Sequence, residues 1–263
     1  MEAKAKVAVI GGTGLADPKV FRTLEELDVD TPYGKPSDKI KIADFNGTHV
    51  AFLARHGAGH TIPPHKINYR ANIHALKSIG VERIISFSAV GSLREDMKPG
   101  DAVVLDQFID MTRHRQLTFY DGPKVVHISA ADPFCPDMRR WAIETVKGLG
   151  IPFHEKGTYV CIEGPRFSTR AESLLWRNMH ADVVGMTLVP EAQLAREAEI
   201  CYISVASVTD YDVWAEKPVS AADIIQTMKR NEDNVHRILS EMLPKVKEER
   251  ACICASALKE AEL

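Results

Sequence analysis

The run from Glu199 to Trp214 constrains this chain more than any other. Its first half, Ile-Cys-Tyr-Ile-Ser-Val-Ala-Ser-Val, is apolar or small and rich in β-branched residues, and Thr209, Asp210 and Asp212 follow at once. That composition belongs to a strand buried on both faces, the kind found in α/β sheets covered by helices. In such sheets ligands bind beyond the carboxyl ends of strands, so two acids two residues apart stand where a crevice opens. Asp-x-Asp also suits a turn or a helix cap, and by itself the pair does not decide between them.

Other strand ends carry similar chemistry. Lys6 to Ile10 reads as a buried strand, and Gly11-Gly12-Thr13-Gly14-Leu15 is the turn after it, where backbone amides and the Thr13 hydroxyl can face an anion. A dinucleotide fingerprint is excluded because Asp17-Pro18 replaces the third glycine, and no Gly-Lys-Ser/Thr follows for a nucleotide P-loop. Lys39–Phe45 and His49–Leu53 flank Asn46-Gly47, a strong hairpin signal. The second strand leads into Arg55-His56-Gly57-Ala58-Gly59-His60-Thr61-Ile62-Pro63-Pro64-His65. Its histidines do not read as a metal site, because His-x-x-x-His ligation needs a helix and the glycines and prolines forbid one. Arg55 and His56 read instead as anion ligands, with Arg55 offering its planar fork to phosphate oxygens. A helix is predicted over 66–79, closed by Gly80, with Asn68, Tyr69, Arg70 and Asn72 either on its surface or in a site. The buried strand Arg83–Phe87 then ends in Ser88-Ala89-Val90-Gly91-Ser92, a third strand end with small hydroxyl donors.

Further along, 101–109 reads as one strand and 110–120 as a mobile loop or subunit contact. Helices are predicted over 137–149, 171–179 and 191–198, and strands over 157–162 and 182–187. Phe167, just past a strand exit, fits the core better than a ligand ring on pattern alone. Ser220-Ala221-Ala222-Asp223 resembles a capping box, opening a long helix with Ile224, Met228, Val235, Ile238, Leu239 and Met242 as its apolar stripe. Without a repeat or linker, the expectation is one domain over residues 1–263, with a charged Cys-x-Cys tail from about 245. The 33 Lys and Arg nearly balance the 36 Asp and Glu, which argues against nucleic acid or an anionic membrane as partner. No apolar run reaches spanning length, and a cytoplasmic protein is expected.

Taken together, Gly11-Gly12-Thr13-Gly14, Arg55-His56-Gly57-x-Gly59-His60, Pro64-His65-x-Ile67-Asn68-Tyr69-Arg70, Glu163-Gly164-Pro165-Arg166-Phe167-Ser168, Met186-Thr187-x-x-Pro190-Glu191 and Thr209-Asp210-Tyr211-Asp212 resemble the methylthioadenosine phosphorylase branch of the purine nucleoside phosphorylase family. The resemblance implies a single α/β domain with a mixed, twisted central sheet flanked by helices, assembled as a homotrimer or a dimer of trimers. It implies no metal and no organic cofactor, with inorganic phosphate as co-substrate. By resemblance the phosphate site is Thr13, Arg55, His56, Ser88, Ala89 and Thr187. Phe167 and Ser168 stand beside the purine, Met186 under the ribose, and Asp210 and Asp212 face the base as the catalytic acids. Ala221 and Ile224 line the 5′ pocket, to which a neighbouring subunit lends His127. Gly185 departs from the Asn that family members often carry.

The implied reaction is phosphorolysis of 5′-methylthioadenosine to adenine and 5-methylthio-α-D-ribose 1-phosphate. A protonated Asp210 would donate to purine N7 while Asp212 accepts from the 6-amino group. A 6-oxopurine nucleoside or methylthioinosine phosphorylase, a nucleoside-binding protein without turnover, and a metal hydrolase using the histidine loop remain as alternatives. The terminal Cys-x-Cys resembles the tail of some thermophilic archaeal members. Cys252-Ile-Cys254 lacks zinc spacing and has no second pair near it in sequence. A very small, strained Cys252–Cys254 disulfide and a long-loop Cys135–Cys201 bridge are expected, with Cys161 free.

Overall fold

A computed structural model describes residues 4–12, 15, 21–215, 221–247, 249–259 and 261. The all-apolar strand β1 (Val7–Gly11) lies parallel between β4 (Thr48–Ala54) and β5 (Arg83–Ser92). The predicted hairpin joins β3 (Ile40–Phe45) to β4, with Asn46 and Gly47 both at positive φ as a tight primed turn requires. Outside it lies β2 (Arg22–Leu27), an edge strand whose charged, largely exposed sequence carries no strand period. Pairing with β3 forms it; local pattern does not.

The expected strand over 101–109 is two strands. β6 (Ala102–Val104) pairs with β11 (Cys201–Asp210), whereas β7 (Gln107–Met111) pairs with β9 (Thr158–Ile162). The chain changes neighbours at Asp106, whose carboxylate accepts the Gly157 amide at 2.9 Å. β8 (Phe153–His154) is a two-residue addition beside β6. With β10 (Val183–Gly185), eleven strands among the described residues form one mixed sheet, in the order β2-β3-β4-β1-β5-β10-β9-β7 with β11, β6 and β8 branching from β5.

The branch at β5 builds the crevice. β5 runs five residues beyond its predicted end because β11 pairs with it in parallel from Cys201 to Asp210, carrying the small-residue run Ser88–Ser92 into the sheet. At the same end, β10 turns back antiparallel along Gly91 and Ser92. Helix α1 (Tyr69–Ser78) starts three residues later than predicted, since Asn68 caps it by accepting the Ala71 amide at 3.1 Å. Tyr69 and Asn72 are buried in the fold, and Asn72 bonds Ser37. Helices α2 (Pro136–Gly148), α4 (Leu188–Glu197) and α5 (Ala221–Met242) pack on β11, while α3 (Arg170–Asn178) opens with a true capping box, Thr169 and Glu172. Of the predicted stripe, Val235, Ile238, Leu239 and Met242 are buried, while the side chains of Ile224 and Met228 lie outside the described residues. Arg115, donating to the Ile162 and Glu163 carbonyls, pins the 110–120 segment against the core, so it is no loose loop.

Candidate active site

The carboxyl ends of β4, β5 and β11 and the exit of β10 open into one cavity of about 580 Å³, within the range of small-molecule sites. Arg55, His56, Ser88, Ala89, Phe167, Ser168, Met186, Thr187, Asp210 and Asp212 all line it. Residues from five sequence segments thus meet in one cavity. Thr13 lies outside the described residues, as do the side chains of Ala221 and Ile224 at the start of α5. His127 is exposed, away from the cavity within one chain, with its amide bonded to the Ala261 carbonyl. Phe167 is a correction: it is 42 % exposed and faces the cavity, not the core.

The anion side of the cavity departs from expectation at Arg55. The guanidinium is buried, with 3 % exposure, and its fork is taken by Glu191: Nε donates to Oε2 at 2.7 Å and Nη2 to Oε1 at 2.8 Å. Nη2 also donates to Ser86 Oγ at 2.7 Å, and Nη1 to the Phe87 carbonyl at 3.0 Å. Of five N–H donors, one on Nη1 finds no acceptor among the described residues, so Arg55 offers an incoming oxyanion a single bond and no bidentate fork. Burial alone would lower the Arg55 pKa, but the Glu191 carboxylate outweighs it and holds the group above its usual value. His56 is neutral, pushed down to about 4 by burial, with the Arg55 charge acting the same way. Because a carbonyl can only accept, Nδ1–H donates to Ile62 at 2.8 Å, which leaves Nε2 an acceptor suited to a protonated phosphate oxygen. Ser88 Oγ is buried without a partner among the described residues, a hydroxyl still able to donate.

Across the cavity stand the two acids. β11 shifts register against β5 between Val208 and Asp210, a bulge that makes Thr209 the extra residue and re-aims the chain beyond it. Asp212 then adopts φ 48°, tolerated by Asp, and its amide donates to Asp210 Oδ1 at 2.7 Å. Gly91 lets the two acids pack close here, since a Cβ on it would lie 3.0 Å from Asp210 Oδ1 and 3.2 Å from Asp212 Cβ, tighter than side chains ordinarily pack. Burial raises the pKa of both acids. Thr209 Oγ1 sits 3.1 Å from the Val90 carbonyl and 2.7 Å from Asp210 Oδ2. One hydroxyl hydrogen cannot serve both, and when it goes to Val90 the shorter contact is bridged by a proton on Asp210. Asp212 is buried at 5 % exposure, and its Oδ2 lacks a partner at hydrogen-bond distance among the described residues. The nearby Ser173 hydroxyl lowers the Asp212 pKa without closing a bond of normal length.

Ser86, Tyr202 and Ser173 carry no signal in the sequence that marks them as site residues, while Gly91 and Glu191 stand in stretches singled out above without a task of their own being legible there. Each of the first three sits in a run that reads as plain strand or helix, and only convergence in space gives all five a task. Gly185 also gains a reason: a Cβ there would lie 2.0 Å from the hydroxyl of Tyr159, which is fully buried and accepts the Thr187 amide at 3.2 Å.

The cysteines gather elsewhere. Cys135, Cys201, Cys252 and Cys254 bring their sulfurs within 4.8 Å of one another, so the second pair missing from the sequence neighbourhood of Cys252 is supplied by the fold. All are free thiols: the expected Cys252–Cys254 and Cys135–Cys201 bridges are not formed, and Cys201 instead approaches Cys252, with their sulfurs 3.3 Å apart. Cys161 is buried in β9, apart from them.

Residues 6–244 match the Phosphorylase superfamily. The S-methyl-5'-thioadenosine phosphorylase of Thermofilum pendens is 59 % identical over 258 residues, 98 % of each chain. A crystal structure of a methylthioadenosine phosphorylase from an antarctic soil metagenomic library superposes with a TM-score of 0.95 at 46 % identity, covering 100 % of this chain and 93 % of that one. Methylthioadenosine phosphorylase from Schistosoma mansoni, in complex with adenine, gives 0.91 at 39 %, covering 97 % and 96 %. With sequence likeness of this extent over nearly the whole length, and a shared fold, the chain belongs to the phosphorylase superfamily, in the branch of the S-methyl-5'-thioadenosine phosphorylases.

Proposed function

We propose that this chain cleaves 5′-methylthioadenosine with inorganic phosphate, giving adenine and 5-methylthio-α-D-ribose 1-phosphate. The observation that carries the reading is the meeting, in one cavity, of an oxyanion pocket (Arg55, His56, Ser88, Ala89, Thr187) and a pair of buried acids with raised pKa values. A phosphate oxygen attacks C1′ as the bond from C1′ to N9 breaks, and the electron pair departs with the base. The transition state is cation-like at the sugar and anion-like at the base, so a fixed anion on one side and a proton on the other favour it over the ground state. Asp210, protonated against Thr209, delivers its proton to N7, a contribution on the order of 10² to 10⁴ in rate. Asp212 accepts from the 6-amino group, Phe167 and Ser168 border the purine and Met186 the ribose, with Thr13 completing the phosphate pocket. Ala221, Ile224 and the partner copy's counterpart of His127 surround the 5′ substituent. That role for His127 calls for a homotrimer or a dimer of trimers. The enzyme works in the cytoplasm and needs no metal or organic cofactor.

A panel of methylthioadenosine, adenosine and inosine, each with phosphate, tests the substrate. Methylthioadenosine is expected to give the highest kcat/KM and inosine the lowest. Inosine turned over as efficiently as the adenine nucleosides would remove the role given to the acid pair.

A further inference from the structure

The Arg55 side chain is fixed by a carboxylate that never faces the cavity. Glu191 is fully buried, at 0 % exposure, in the first turn of α4, where the helix N-terminus also favours a negative charge. Besides the two Arg55 bonds, its Oε1 accepts from Ser86 Oγ at 3.0 Å and from the Tyr202 hydroxyl at 2.8 Å. Four elements meet on this one group: Arg55 follows β4, Ser86 lies in β5, Tyr202 in β11 and Glu191 in α4. Glu191 does not line the cavity, whereas Arg55 does.

We infer that Glu191 is the positioning residue of the phosphate site: it holds the Arg55 guanidinium in the one orientation that turns the remaining Nη1 hydrogen toward the oxyanion, and it balances the arginine charge. The inference deepens the proposed phosphorolysis and rests on it. With its charge already matched, Arg55 acts on phosphate through a directed hydrogen bond, so orientation matters more than charge. A lysine, a compact point charge with three donors, cannot reproduce contacts to Glu191, Ser86, the Phe87 carbonyl and phosphate together. A buried carboxylate with four donors also cannot be exchanged for an amide without leaving one donor facing another, which loosens the guanidinium.

Steady-state kinetics with phosphate and methylthioadenosine varied separately test this. Glu191→Gln is expected to raise the KM for phosphate by roughly tenfold or more and to leave the KM for methylthioadenosine within about twofold. The double variant Arg55→Ala/Glu191→Gln is expected to be no worse for phosphate than Arg55→Ala alone, since the carboxylate acts only through the arginine. A Glu191→Gln protein that melts earlier but keeps its phosphate KM, or a double variant in which the losses multiply, would overturn the inference. If Glu191→Gln does not fold, Tyr202→Phe removes one bond to the same carboxylate. That variant is expected to raise the phosphate KM by a smaller factor, and an unchanged value would overturn the inference equally. Wild-type protein that releases adenine without phosphate would instead refute the phosphorolysis itself, so the two failures are distinguishable.

Discussion

Asp212 buries a carboxylate oxygen that finds no hydrogen bond of normal geometry among the described residues, and that cost has a sign that can be measured. In an unfolded chain an aspartate ionises near 3.9, whereas burial raises the value for Asp212 in the fold. Its contribution to stability is therefore fully present below the unfolded value and declines as pH rises through the folded one. Asp212→Asn is expected to raise the unfolding temperature at neutral pH and to change it little well below pH 4, while narrowing or inverting the preference for 6-aminopurines over 6-oxopurines. The reason is that an amide presents a donor to the 6-oxygen, and a mismatched buried polar pair costs about 1 to 3 kcal/mol. Calorimetry at two pH values and the nucleoside panel check both. A lower unfolding temperature at neutral pH would contradict the assignment. Gly185 is a second residue with a definite expectation: a Cβ would overlap the buried Tyr159 ring, so Gly185→Ala is expected to lose about 1 to 3 kcal/mol of stability in denaturant unfolding. A neutral result would mean that Tyr159 can move aside.

At the scale of elements, the strands that face the crevice are legible because each is a run of β-branched residues ending in turn or site chemistry. Val7–Gly11, Thr48–Ala54 and Cys201–Asp210 all read this way. Structure made by pairing is not legible in the same way. β2 is charged and exposed, β8 spans two residues, and Ser88–Ser92 looks like a loop until β11 lies alongside it. The same limit applies to the site. Asp210 and Asp212 stand out as polar groups after an apolar run, while Glu191 opens a helix as any acid might, and only the fold sets it against Arg55. The cysteines show the limit in another form, since spacing argues against a four-thiol cluster that the ends of β11 and α2 and the tail assemble. With all five cysteines free, protein that is unfolded without reductant is expected to titrate five reactive thiols and to melt at the same temperature with and without reductant. A thiol count below five would contradict this.

For the whole molecule, one cavity has a side held by β4, β5 and α4, which the proposed function gives to phosphate, and a side held by the bulged end of β11, which it gives to the base. The buried Ser88 hydroxyl, the neutral His56 and the single Arg55 donor suit a phosphate oxygen. The most direct measurement is adenine release from methylthioadenosine as phosphate is raised from none, with the sugar product identified by mass. Phosphorolysis predicts no release above background without phosphate, saturation as phosphate is added, and 5-methylthioribose 1-phosphate formed in step with adenine. Equal rates in phosphate-free buffer, with free methylthioribose as the product, would contradict it.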